Sequence, residues 1–144
     1  MAVAITLSGC TEPTWPKKYF PTEMEVKRTL FASSEFGLRE GCDAFVAEIS
    51  DRAATRLVRV EKKDSRVSAV PPNGWRSSPM EDESNTHRYY ESAFGGCNSA
   101  DGPPLGDLPG ALKRPGAFYR IINNGEAIAI IVPNAKLAGF FNFG

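Results

Sequence analysis

Residues 117–132 constrain the fold of this chain more than any other stretch. Ala117-Phe118-Tyr119-Arg120-Ile121-Ile122 and Glu126-Ala127-Ile128-Ala129-Ile130-Ile131-Val132 are rich in β-branched and aromatic side chains, which fit a pleated, half-buried surface. Between them stands Asn123-Asn124-Gly125, made of the residue types that best tolerate positive φ. Two β-rich runs joined in this way predict a β-hairpin. Pro133-Asn134 ends the second run, because proline has no N–H to donate to a ladder. Leu137–Phe143 (LAGFFNF) then predicts a third strand. Phe140, Phe141 and Phe143 are expected in the core or as an aromatic patch on a sheet face.

Upstream, Met24–Ser33 alternates loosely, with Val26, Leu30 and Phe31 apolar, and predicts another strand. Asp43–Val60 has two readings. It is either one long helix, or a strand over Ala44–Ile49 followed by a helix capped by Ser50. The split is preferred. Ser50 is a good N-cap, Asp51 adds a negative charge to the first turn, and Ala53, Ala54, Arg56 and Leu57 are strong helix formers. At 100° per residue, Ala53, Ala54, Leu57, Val58 and Val60 share one side of this helix. Arg52, Arg56, Arg59 and Lys63 form a basic stripe on another, either a solvated face or a contact for an anionic partner. Pro71-Pro72-Asn73-Gly74 predicts a turn, with Trp75 anchoring it to the core. Residues 95–116 hold six glycines and four prolines. An irregular stretch of that length is either functional or held down. The expected class is therefore α+β, an antiparallel β-sheet with a C-terminal β-hairpin and one main helix packed on a face.

At 144 residues the chain is expected to form one domain. Seventeen basic residues balance seventeen acidic ones. That balance argues against bulk electrostatic binding to nucleic acid, which needs a basic surface to displace counterions. No stretch reaches the roughly 18 consecutive apolar residues of a membrane-spanning helix.

Leu7-Ser8-Gly9-Cys10 resembles the lipobox of bacterial lipoproteins: an aliphatic residue, two small residues, then the cysteine that carries the lipid. The resemblance covers about the first ten residues. It implies that 1–9 is the remnant of a signal peptide, that 10–22, with Pro13, Pro16 and Pro21, is a Pro-rich tether, and that 23–144 is a single α+β domain. It departs from the usual pattern in having only nine residues before Cys10, none of them Lys or Arg. The resemblance also implies attachment to a membrane through lipid on Cys10. Thr11, rather than Asp, after the lipidated cysteine resembles sorting to the periplasmic face of the outer membrane. Lipidation of Cys10 leaves Cys42 and Cys97 as a pair, and an oxidising envelope compartment permits their disulfide.

The sequence selects no catalytic residue, cofactor or metal site. His87 is the only histidine and lies in a polar stretch. No Gly-x-Ser-x-Gly elbow, Gly-rich phosphate loop or Cys-x-x-Cys pair occurs. The favoured expectation is a small non-catalytic cell-envelope lipoprotein that binds an envelope protein or an anionic surface ligand. A periplasmic inhibitor or immunity-type protein, a small hydrolase with a site near His87, and a cytosolic domain with free thiols are the alternatives.

Overall fold

The computed structural model describes residues 14–36, 41–58, 72–81, 93–94, 97 and 108–143. They build a six-stranded antiparallel sheet with a short helix on each side. The strands are β1 (Val26–Phe36), β2 (Gly41–Ile49), β3 (Arg76–Ser77), β4 (Phe118–Ile122), β5 (Ala127–Val132) and β6 (Leu137–Phe143). The helices are α1 (Asp51–Leu57) and the single turn α2 (Leu108–Ala111). The order across the sheet is β1-β2-β6-β5-β4-β3, and every neighbouring pair is antiparallel. Among the described residues the architecture is thus mostly β, with one helix of seven residues.

The expected hairpin is β4–β5, closed by the pair Ile122 and Ala127. Its turn places Asn123, Asn124 and Gly125 all at positive φ (53°, 56° and 103°), so the Asn-Asn-Gly sequence matches the backbone that the turn requires. The second strand ends at Pro133, and Lys136 adopts the left-handed region (φ 54°) before β6 begins. β6 returns between β5 and β2, pairing Phe140 with both Ala129 and Phe45.

The split of residues 43–60 is also realised. β2 runs to Ile49, and the Ser50 side chain accepts a hydrogen bond from the Ala53 N–H at 3.1 Å. α1 buries Ala53, Ala54 and Leu57. It ends at Leu57, where Val58 leaves helical geometry (φ −87°, ψ 75°). The following Val-Arg-Val sequence favours that stop, because β-branched residues lose χ1 freedom in a helix. Arg59 and Lys63 lie outside the described residues, as do Cys10 and His87.

Side-chain alternation sends two apolar sets to opposite faces. Face one carries Phe45, Ala47 and Ile49 of β2, Phe118 of β4, Ala127, Ala129 and Ile131 of β5, and Ala138 and Phe140 of β6. α1, Trp15, Phe20 and Trp75 cover it. Face two carries Ala44 and Val46 of β2, Tyr119 of β4, Ile128 and Ile130 of β5, and Phe141 of β6. Ala93, Cys97, Leu108 and Leu112 cover that face. The sheet is the middle of three layers, which explains why β5 is buried from Ala127 to Ile131 without alternation.

The stretch expected as a tether is packed from Trp15 onward. Trp15 and Phe20 are buried; their ring centroids lie 4.7 Å apart, and Trp15 meets Phe45 edge-on at 6.4 Å. Tyr19 stacks on Phe140 at 4.8 Å. Burying an indole removes enough area to stabilise by about 4 kcal/mol. The buried Trp15 Nε1–H has no acceptor among the described residues; an unsatisfied donor costs about 1–3 kcal/mol. The area gain wins, so residues 14–22 belong to the domain despite their prolines.

Cys42 on β2 and Cys97 form a disulfide with Cα atoms 5.7 Å apart. It ties a segment covering face two directly to the sheet. On the same face, Gly139 makes room for α2: a Cβ there would lie 2.6 Å from Phe141 Cε2 and 3.0 Å from Leu108 Cδ1. The buried Ser78 clasps β3 to the segment before β4, donating to the Arg114 carbonyl and accepting from the Ala117 N–H.

Candidate functional site

The layer over face one contains an open groove of about 820 Å³, within the size range of small-molecule sites. Three chain segments meet there. The turn after Phe20 supplies Thr22 and Glu23, the C-terminal end of α1 supplies Arg56, and the turn at Pro72–Asn73 supplies the opposite lip. Phe20 and Trp75 line the groove, their centroids 5.8 Å apart. Trp75 is buried beside that turn, as its position after Pro71-Pro72-Asn73-Gly74 predicts. Arg120 enters from β4.

Strand alternation places Arg120 here. Tyr119 and Ile121 point to face two, where they pack. Arg120, paired with Ala129 in the ladder, must point to face one. It lies beyond the edge of the apolar cluster and is exposed. Its signal in the sequence is a lone charge within Phe-Tyr-Arg-Ile-Ile, and reading that run only as a strand passes over it.

Arg56 and Arg120 are both exposed, and among the described residues neither side chain makes a hydrogen bond or ion pair. Among the described residues Glu23 is the one acid lining the groove, and its carboxylate takes a hydrogen bond from Thr22 at 3.5 Å. Two guanidinium groups beside an aromatic floor can hold an anion attached to an apolar body, since their planar forks match phosphate and carboxylate oxygens.

Half of the expected basic stripe falls on described residues. Arg52 and Arg56 are exposed on α1, while Arg59 and Lys63 fall outside the described residues. Lys17 and Lys18, just ahead of the groove, are exposed on the same layer. Lys18 Nζ stands 4.7 Å from the centre of the Tyr19 ring, at cation–π distance. At the start of α1, Lys136 bonds to Asp51. That hydrogen bond and then the lysine's charge hold the Asp51 carboxyl below its ordinary range and raise the ammonium of Lys136.

On the far side of the sheet, Glu48 receives Lys27 at 3.0 Å and Arg28 at 2.6 Å. These bonds lower its carboxyl pKa, Lys27 contributing most. A register shift between Val26 and Arg28 lets two consecutive residues reach one carboxylate.

Among the described residues, no three His, Cys, Asp or Glu side chains gather as a metal site, and no helix is long and apolar enough to cross a membrane. No protein-family model, curated protein or solved structure shows a significant match to this chain.

Proposed function

We propose that this chain is a non-catalytic lipoprotein of the bacterial cell envelope, held at the membrane by acyl chains on Cys10, whose domain binds an anionic envelope component at the groove beside Arg56 and Arg120. The observation that carries this reading is the pairing of Cys42 with Cys97. It uses two of the three cysteines and leaves Cys10, the one in the lipobox-like Leu7-Ser8-Gly9-Cys10. Disulfides persist in oxidising compartments such as the periplasm, where lipoproteins reside. Two exposed guanidinium groups beside aromatic rings suit recognition of an anion, whose oxygens their planar forks match. Thr11 after Cys10 favours the periplasmic face of the outer membrane as the address.

Metabolic labelling with a clickable palmitate in the native host tests the reading. The chain should carry the label, fractionate with membranes and accumulate unprocessed under globomycin. Cys10→Ala should be unlabelled and released from the membrane fraction. An unlabelled parent chain found in the cytosol refutes the proposal.

A further inference from the structure

We infer that the layer over face one is the membrane-facing side of the domain and lies on anionic phospholipid headgroups. The inference rests on acylation of Cys10, and the length of chain between that residue and the domain carries it. Trp15, five residues after Cys10, is buried and packs against Phe45 on face one. Five residue steps at about 3.6 Å each give a reach of about 18 Å at full extension. Packed layers lie about 10 Å apart. The outer side of the face-two layer therefore stands about 20 Å or more from Trp15 even along a straight line through the protein. A chain running around the edge has farther to go. A lipid on Cys10 can bring the face-one layer to the bilayer, but not the face-two layer.

The charge on that layer suits the orientation. Lys17, Lys18, Arg52, Arg56 and Arg120 are exposed on it. Among the described residues the acids there are Glu23, Glu25 and Asp51, and Asp51 is already paired with Lys136. Asp43, farther along the same face, is bonded to Ser34 and Asn142. Tyr19, with an apolar ring and a polar tip, sits between the lysines and Phe140, as side chains at a headgroup boundary do. Each basic residue near an anionic leaflet strengthens attachment by about fivefold, and the attraction fades beyond the Debye length of about 8 Å at physiological salt. A tether this short keeps the cations near that range, where a long free linker would not.

The test uses the full-length chain with its disulfide intact, so that Cys10 is the one free thiol. Cys10 is coupled to a maleimide lipid in vesicles of phosphatidylglycerol and phosphatidylcholine, or of phosphatidylcholine alone. Lysine acetylation is then read by mass spectrometry. Lys113, exposed on the α2 side, serves as the internal reference. On anionic vesicles, Lys17 and Lys18 should lose labelling severalfold relative to Lys113, and a Arg56→Glu/Arg120→Glu variant with an unchanged melting curve should regain most of it. Equal labelling of all three lysines, or protection of Lys113 instead, overturns the orientation. Protection of the same depth on phosphatidylcholine alone overturns the role of the headgroup charge. Because the coupling supplies the anchor chemically, a chain that proves unacylated in its host refutes the lipoprotein proposal without altering this readout.

Discussion

Opening the Cys42–Cys97 bridge is the perturbation whose cost follows most directly from the structure. The two cysteines are 55 residues apart in sequence. In the chain-entropy model, releasing a loop of that size stabilises the unfolded state by about 4 kcal/mol. One term opposes this. Cys97 sits at φ 57°, a left-handed conformation that costs a non-glycine residue about 1–2 kcal/mol, and a freed Cys97 can relax. The net loss is about 2–3 kcal/mol. For a domain of this size, each kcal/mol moves the melting temperature by roughly 3–4 °C, so the reduced protein should melt about 6–12 °C lower.

Cys42 and Cys97 are both buried, at 9% and 1% exposure, so reduction has to be driven in mild denaturant and verified by mass before refolding. The assay is a pair of melting curves by circular dichroism, with Cys42→Ala/Cys97→Ala as an independent check. The loss should concentrate where the bridge acts, with amide exchange accelerating in β2 around Ala44–Val46 and in β6 around Phe141. A thiol titration of the folded, unmodified chain without reductant should find one reactive cysteine. Three reactive thiols, or superimposable melts of the oxidised and fully reduced forms, refute the reasoning.

Three further outcomes are expected. Gly139→Ala should destabilise by about 1–3 kcal/mol by driving a methyl into Phe141 and Leu108, and a background Leu108→Ala should make the added cost smaller than in the parent; strictly additive melts would refute this contact. Ser50→Ala should cost about 1 kcal/mol through loss of the α1 cap, with Ser50→Asp retaining most of it in urea titrations. Glu48 should titrate by NMR below the ordinary glutamate range because Lys27 and Arg28 bond to its ionised form. Its folded pKa is depressed, so its contribution to stability is present above the unfolded pKa and disappears as pH falls through the folded one; Lys27→Met/Arg28→Met should return the titration toward the ordinary value.

Local chemistry made much of the fold legible. The β4–β5 hairpin follows from Asn123-Asn124-Gly125, β6 from the Pro133 break and its aromatic run, and α1 from the Ser50 cap. The strand order was not legible, because β2 meets β6 through a pairing nearly a hundred residues apart in sequence that no local pattern encodes. The two-residue β3 is too short to leave a period. The covering of both faces did leave a trace: Ala127–Ile131 is apolar at every position, as a strand buried on both sides requires. In the N-terminal segment the prolines pointed to a tether, but the aromatic area of Trp15 and Phe20 dominates. Within the groove, Arg56 was legible as a helix-face cation, whereas Arg120 becomes visible only once β4 is assigned and its alternation fixed.

The Cys42–Cys97 disulfide and the acylation proposed for Cys10 would act on opposite sides of the sheet. Cys42 points to face two and fastens the cover there, while the chain from Cys10 arrives at face one through Trp15. The sheet between them is buried and close-packed, and distant sites that share no partner contribute additively. Attachment and stability should therefore separate. Cys10→Ala should leave the melting curve unchanged while releasing the protein from membranes, and the bridge-free variant should stay membrane-bound while melting early. Aromatic packing supports this separation: Trp15 packs on Phe20 and Phe45, both on face one. Trp15→Ala breaks the arrangement by lengthening the free tether toward Phe20, and it should loosen lysine protection at Lys17 and Lys18 without detaching the chain.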